Sequence, residues 1–344
     1  MPHGLTRRTL GRASAAALAG ATIFRHARAA EPLRLRVSLD TAPTHGRNVS
    51  VADYLKKLEA ASQGRIKTEL FSSGSLFADL NVGKALIEGQ VEMACPGHWT
   101  QTGVVPDCDM FQLPLFYGQD ISVSHRAADG KAGAHIAQQL EHKLRSHVLG
   151  KWIDLGYQNW YFTAKEPKSF ADMKGAKIRS PGGAGNSWRI RQVGGIPNTT
   201  AWPNVPLALS QGTFDGFIST DESCASAQLW EAGVKHSYAD HQFIGEYIPL
   251  VSMAFWNKLP ADLQKLMTDL WEQNIGTYRA NMMKLQIEAR KTMQSKGVTF
   301  CDPTPDQITA NRKMLTAAED QLIKDAKLSP EIVKLVREDV GASA

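Results

Sequence analysis

Apolar and polar residues alternate through Leu33, Leu35, Val37 and Leu39, the period of two that marks a strand. The interval then lengthens. Val51, Leu55 and Leu58 recur at helical spacing, and Gly64 ends that helix. Ile66, Thr68 and Leu70 return to period two, residues 79–87 predict a second helix capped by Asp79, and residues 91–94 predict a third strand. Strand, helix, strand, helix, strand is the order of a doubly wound α/β lobe.

A second alternation starts after Gly150. Residues 151–162 are rich in aromatics and read as extended, residues 177–179 as a short strand, and Pro181-Gly182-Gly183 as the turn into a helix over 186–193. Residues 197–202 are extended, 207–210 form a helical turn and 214–220 a strand, which completes a second α/β lobe. Residues 242–255 read as an extended return to the first lobe. From Pro260 to Ser295 a single amphipathic pattern runs through Leu263, Leu266, Met267, Leu270, Trp271, Tyr278, Met282 and Leu285. At 1.5 Å per residue it spans about 50 Å, long enough to brace both lobes, with Gly276 the expected place for a bend. The predicted fold is α/β: two doubly wound lobes joined by crossing strands, with a long C-terminal bracing helix. The expected divisions are 30–152 plus 242–258 for lobe I, 153–241 for lobe II, and 259–344 for the bracing helix and C-terminal helices.

The first 29 residues follow a different pattern. Arg7, Arg8 and Arg12 precede an alanine-rich apolar run over 13–24, which closes on Ala27-Arg28-Ala29. A basic start, a short apolar run and a small-x-small exit predict a cleaved secretory signal, with a mature N-terminus at Ala30. The run is too short for a spanning helix, which needs about 20 residues. The Arg7-Arg8 pair points to the twin-arginine route, with an ordinary signal as the alternative. Charge fits removal of this segment. The chain has 39 Lys+Arg against 34 Asp+Glu, and five arginines but no acid precede the cut, so 39 − 5 = 34 bases balance 34 acids. A mature chain with no net charge removes the electrostatic argument for a nucleic-acid or anionic-membrane partner. No later stretch is apolar enough to span a bilayer, so a soluble exported protein is expected.

Chemistry-bearing motifs are sparse. There is no G-x-S-x-G, H-E-x-x-H, Walker or EF-hand pattern, and nothing that implies a metal or cofactor. Gly182-Gly183-Ala184-Gly185 stands before a helix as a phosphate loop would, but it lacks the Lys-Ser/Thr and reads as a turn. His135 and His142, with Glu141 beside them, predict a solvated helix face. Cys95, Cys108, Cys224 and Cys301 include no C-x-x-C pair; three disulfide pairings are open to them. Export of an already folded chain from a reducing cytoplasm would leave them as small buried hydrophobes.

Several segments resemble, in order, the substrate-binding proteins of TRAP (tripartite ATP-independent periplasmic) transporters. These are Gly64-Arg65-Ile66-Lys67; Phe71 to Leu76, F-S-S-G-S-L; Leu113-Pro114-Leu115-Phe116; Asp172 to Arg179, D-M-K-G-A-K-I-R; Ala208 to Gly216, A-L-S-Q-G-T-F-D-G; and Lys258-Leu259-Pro260. The resemblance covers about Leu33 to Gly297. It implies a periplasmic-binding-protein clamp that closes on a small organic anion and delivers it to integral membrane TRAP permease subunits, without catalysis. The alternative is a periplasmic lyase or hydrolase on a two-lobed scaffold. The resemblance also makes Arg179 the carboxylate anchor, a role that suits a guanidinium fork at a strand end. Three positions depart from the family's pattern. Trp160 stands where a second arginine is common, Ser219 where an asparagine is, and Trp202-Pro203-Asn204 replaces F-x-E. Loss of the second cation predicts a monocarboxylate with an aromatic or hydrophobic body. Trp160 either faces that ligand or packs the hinge. Asn159 beside it, and His98 and Trp99 after the third strand, complete the expected cleft wall, with plain packing the alternative for His98 and Trp99.

Overall fold

The computed structural model describes residues 31–341. The signal expected over residues 1–29 lies outside the described residues. The first stretch builds β1 (Leu33–Ser38), α1 (Gly46–Ala61), β2 (Ile66–Phe71), α2 (Asp79–Ile87), β3 (Met93–Ala94), α3 (Ile121–Ala128), α4 (Lys131–Lys143) and β4 (Ser146–Val148). The second builds β5 (Ile153–Tyr157), β6 (Asn159–Phe162), β7 (Lys177–Ser180), α5 (Ala184–Gln192), β8 (Ile196–Thr199), α6 (Val205–Ser210), β9 (Gly216–Ser219), α7 (Asp221–Ser226) and β10 (His236–Tyr238). The chain continues through β11 (Ile244–Tyr247), β12 (Leu250–Ser252), α8 (Met253–Trp256), α9 (Ala261–Ser295), β13 (Thr299–Cys301), α10 (Pro305–Ala317), α11 (Glu319–Ala326) and α12 (Pro330–Val340).

The strands form two mixed sheets. One has the order β2-β1-β3-β12-β4, with β1 parallel to both β2 and β3. The other has the order β13-β10-β6-β9-β7-β8, with β7 parallel to β8 and β9. Each parallel core carries helical crossovers, the doubly wound arrangement that the alternating pattern predicted. Between the sheets, β5 and β11 form a two-stranded antiparallel ribbon, the crossing strands of the clamp. The aromatic run over 151–162 is therefore two strands and not one. The chain leaves the β5–β11 ribbon at Gln158, whose N–H donates to the Phe243 carbonyl, and enters the second sheet as β6.

Helix α9 spans 35 residues without a break at Gly276. Its buried face supplies Leu263, Met267, Trp271, Ile275 and Tyr278 to the core around β1 and α1, and Met293 to the core around β9 and α7. Tyr54 of α1 donates to the Met267 carbonyl, and Gln286 accepts from the N–H of Glu222 in α7, so one helix is fastened to both lobes. Helices α10 to α12 cover the core around α4, through Leu315, Leu322, Ile332 and Val336. Cys95, Cys108 and Cys224 are buried, Cys301 is half-buried, and none of them is paired. No helix among the described residues is long and apolar enough to cross a membrane.

Candidate functional site

The carboxyl ends of the parallel strands in both sheets face each other across a cavity of about 40 Å³, room for about three waters. Such strand ends are where open α/β sheets place their ligands, because the connecting loops splay apart there. Asp40 follows β1, Asp79 opens α2, and Trp99 follows β3 on one wall. Arg179 on β7, Ser219 on β9 and Trp202 form the other, and Gln158 and Tyr247 from the crossing segments close the floor.

The two walls differ in charge. Arg179 is 3% exposed, yet no carboxylate pairs with it among the described residues. Its Nε donates to the Thr200 carbonyl at 2.9 Å and its Nη1 to the Ile218 carbonyl at 3.3 Å. Its guanidinium carbon lies 5.6 Å from the centre of the Trp202 ring, within cation–π range. Burial pulls its pKa down to about 10, so it remains a cation at neutral pH with donors left over for an anion. On the facing wall Arg47 is fully buried but saturated. It binds Asp40 and Asp79 at 2.7 Å each and the Cys95 carbonyl at 2.8 Å, and sits 4.0 Å over the Tyr247 ring. Two carboxylates against one guanidinium leave that wall acidic. Burial pushes the Asp79 carboxyl up to about 7, with Arg47 opposing the rise and Asp40 adding to it.

Of the residues expected to form the cleft, Arg179, Trp99, Trp202 and Ser219 line the cavity. Trp160, Asn159 and His98 do not line it; Trp160 and His98 take the packing alternative, and Asn159 lies behind the cleft wall. Trp160 is fully buried in the core of the second lobe, where its Nε1 donates to Asp240 at 3.0 Å. Strand β6 lies between β9 and β10 in its sheet, and its alternating side chains enter two cores, Trp160 and Phe162 beside Ile218 and Tyr238 and Tyr161 beside Phe217, while the cavity reaches only as far as Gln158 before it. Asn159 accepts from the His241 N–H. His98 is enclosed by Trp99, Phe111 and Phe243, with Nδ1 2.6 Å from the Cys108 carbonyl; burial pulls its pKa down to about 4, so the ring is neutral. Asp40, Asp79, Gln158 and Tyr247 were missed. The available signal is positional, since Asp40 directly follows a predicted strand and Asp79 stands at the start of a predicted helix.

The lobes touch on either side of the cavity. His45 Nε2 at the start of α1 lies 2.8 Å from a Glu222 oxygen of α7, and the Gly46 N–H donates to Glu222 at 2.9 Å. Asp109 from the first lobe accepts from the Gly185 N–H at 2.9 Å, at the start of α5. The glycine-rich turn is therefore not a phosphate cradle. A carboxylate from the opposite lobe already occupies the helix N-terminus, the place an anion would take.

Comparison with known proteins agrees with this geometry. The family model described as bacterial extracellular solute-binding protein, family 7, matches residues 40–325. A C4-dicarboxylate-binding periplasmic protein, DctP of Rhodobacter capsulatus, is 26% identical over 345 residues, covering 97% of this chain and 98% of that protein. The sugar acid binding protein DctPAm of Advenella mimigardefordensis, solved with galactonate, superposes with a TM-score of 0.85 at 18% identity, over 91% of this chain and 99% of that one. A TRAP periplasmic solute-binding protein of Ralstonia eutropha, solved with (S)-2-acetolactate, gives 0.83 at 20% identity, over 90% and 99%.

Proposed function

This chain belongs to family 7 of the bacterial extracellular solute-binding proteins, and from that premise we propose that its cleft takes a small organic acid by a single carboxylate held on Arg179. The family is one of receptors and not of enzymes. The protein is a periplasmic receptor that captures small organic acids and works with a TRAP-type membrane permease. The observation that carries the anchor is the state of Arg179: buried, charged, lining the cavity and without a counter-ion among the described residues. A guanidinium in that state has an uncompensated desolvation cost, which a bound carboxylate offsets through two parallel charge-assisted hydrogen bonds.

The number of carboxylates follows from the opposite wall. A dicarboxylate would direct its second anion at Asp40 and Asp79, whose one cation, Arg47, is already shared between them. A monocarboxylate whose other end donates hydrogen bonds, through a hydroxyl or an ammonium, fits that wall instead. Trp99, Trp202 and Tyr247 flank the space between and suit a flat or apolar body. Galactonate and acetolactate, carried by two of the structural neighbours, have one carboxylate each; the Rhodobacter relative is named for dicarboxylates.

A thermal-shift screen tests this reading with matched acids: monocarboxylates with and without hydroxyl or amino groups, and C4-dicarboxylates. A ligand at a hundred times its Kd adds about 2.7 kcal/mol to the folded state, a shift of several degrees for a chain of this size. The expected result is a shift with donor-bearing monocarboxylates alone. Shifts confined to dicarboxylates would sink the single-carboxylate reading.

A further inference from the structure

The crossing ribbon carries a second concentration of charge on the face turned away from the solute. Successive side chains of a strand point to opposite sides. Leu155 and Tyr247 line the cleft, whereas their neighbours Asp154 on β5 and Glu246 on β11 face the other way. The pairing slips by one residue between Gly245 and Glu246, and the slip sets Glu246 directly opposite Asp154. Both are fully buried. Like charges opposite each other in an antiparallel pair repel, and burial removes the water that would screen them.

Among the described residues this pair is balanced only in part. Both Glu246 oxygens and Asp154 Oδ2 lack a hydrogen-bond partner among the described residues. Arg279 of α9 comes within 3.6 Å of Asp154, but both its Nη atoms bind Asp129, at 2.7 and 2.9 Å, and its Nε donates to the Trp152 carbonyl. One more group faces the pair: His125 of α3, whose Nε2 is 2.8 Å from Asp154 Oδ1. Ligating atoms of His125, Asp154 and Glu246 all lie within 4.8 Å of one another.

We propose that His125, Asp154 and Glu246 form a binding site for a divalent cation of the zinc class at the hinge of the clamp. One imidazole nitrogen and two carboxylates are a donor set that Zn²⁺ accepts, with water or a further ligand completing the tetrahedron. The His125 side chain is 26% exposed, which leaves one side open for entry and for that water. A bound cation neutralises the two facing carboxylates and ties α3 to both crossing strands, so it stiffens the ribbon about which the lobes turn. The competing occupant is a proton, because burial, and then the Asp154 charge, push the Glu246 carboxyl well above the ordinary range.

The test uses the exported protein purified without a metal-affinity tag. Its metal content is measured by mass spectrometry, and chelator-treated protein is then titrated with Zn²⁺, Mn²⁺ and Ca²⁺ while its melting is followed. One equivalent of Zn²⁺ per chain and a higher melting temperature are expected. Glu246→Gln and His125→Ala should each weaken Zn²⁺ binding by about 100-fold or more, while Arg179→Ala in the cleft binds it as wild type does. The proposal is overturned if chelator-treated wild type melts alike with and without added Zn²⁺ and takes up no stoichiometric metal, an arm that needs no variant to fold. It is equally overturned if folded Glu246→Gln and His125→Ala bind Zn²⁺ unchanged, since the ion would then sit elsewhere.

Discussion

Replacing Arg179 with alanine separates a ligand anchor from a structural arginine, because its effects with and without solute differ. Without solute, the change removes a guanidinium whose burial has lowered its pKa from 12.5 to about 10, equivalent to about 3 kcal/mol held against the fold. Below about pH 10 the group is charged whether the chain is folded or not, so this penalty applies throughout the physiological range. The change also leaves the Thr200 and Ile218 carbonyls without this donor, a loss of about 1–3 kcal/mol each. The two contributions oppose each other and are of similar size, so the solute-free variant should melt within a few degrees of wild type. With solute, truncating one partner of a desolvated charge pair costs about 2–5 kcal/mol, or tens- to thousands-fold in Kd. Arg179→Lys keeps the charge but loses the planar fork, so it should fall between the two. Titration calorimetry of the three proteins, with the acid that gives the largest thermal shift, reads the difference, and circular dichroism confirms the fold. If folded Arg179→Ala binds that acid as tightly as wild type, Arg179 is not the anchor.

Trp160→Phe removes a donor from buried Asp240 and leaves a gap where the larger ring was; it should cost about 2–4 kcal/mol of stability by denaturant melt while Kd stays unchanged. Loss of binding in a well-folded Trp160→Phe protein would return that residue to the cleft. Asp109→Asn should flatten the pH dependence of stability. Burial pushes the Asp109 carboxyl up to about 7, so the folded state holds its proton more tightly than the unfolded state does. That contribution is whole below about pH 4 and is lost as the pH rises through about 7, by about 4 kcal/mol at most. The variant should therefore melt higher than wild type at pH 8 and alike at pH 4, and parallel melting curves across that range would contradict the assignment. Gly183 has φ +80, and a Cβ there would come within 2.7 Å of Asp109 Oδ1 and 3.2 Å of the Trp99 carbonyl oxygen, both on the opposite lobe. Gly183→Ala should hold the lobes apart, raise the radius of gyration in small-angle scattering and weaken solute binding by about tenfold or more; an unchanged radius and Kd would argue against contact-limited closure.

The local pattern of the chain was enough to specify many of its elements and their alternation. Period two at Leu33 to Leu39, helical spacing from Val51 to Leu58, and the long stripe from Leu263 to Met282 are short-range signals, because each depends only on which face of one strand or helix must be buried. The order of the motifs, from Gly64 to Pro260, carried the family resemblance and led to Arg179 at the end of a strand. What the pattern could not supply was where one sheet ends and the next begins. The aromatic run over 151–162 reads only as extended, and it divides at Gln158 between the crossing ribbon and the second sheet. That division turns Trp160 into the core and leaves Gln158 in the cleft. The acidic wall has the same origin: Asp40 and Asp79 are 39 residues apart, and they meet only because α2 begins beside the end of β1 and because Arg47 comes between them. Asp109 and Gly185 meet across the two lobes, and Asp154 and Glu246 across a ribbon whose register slips by one residue. Periodicity is a property of neighbours along the chain and is written into the sequence. Which polar groups face each other in a dry space depends on strand register and lobe contact, which exist only after distant segments have packed.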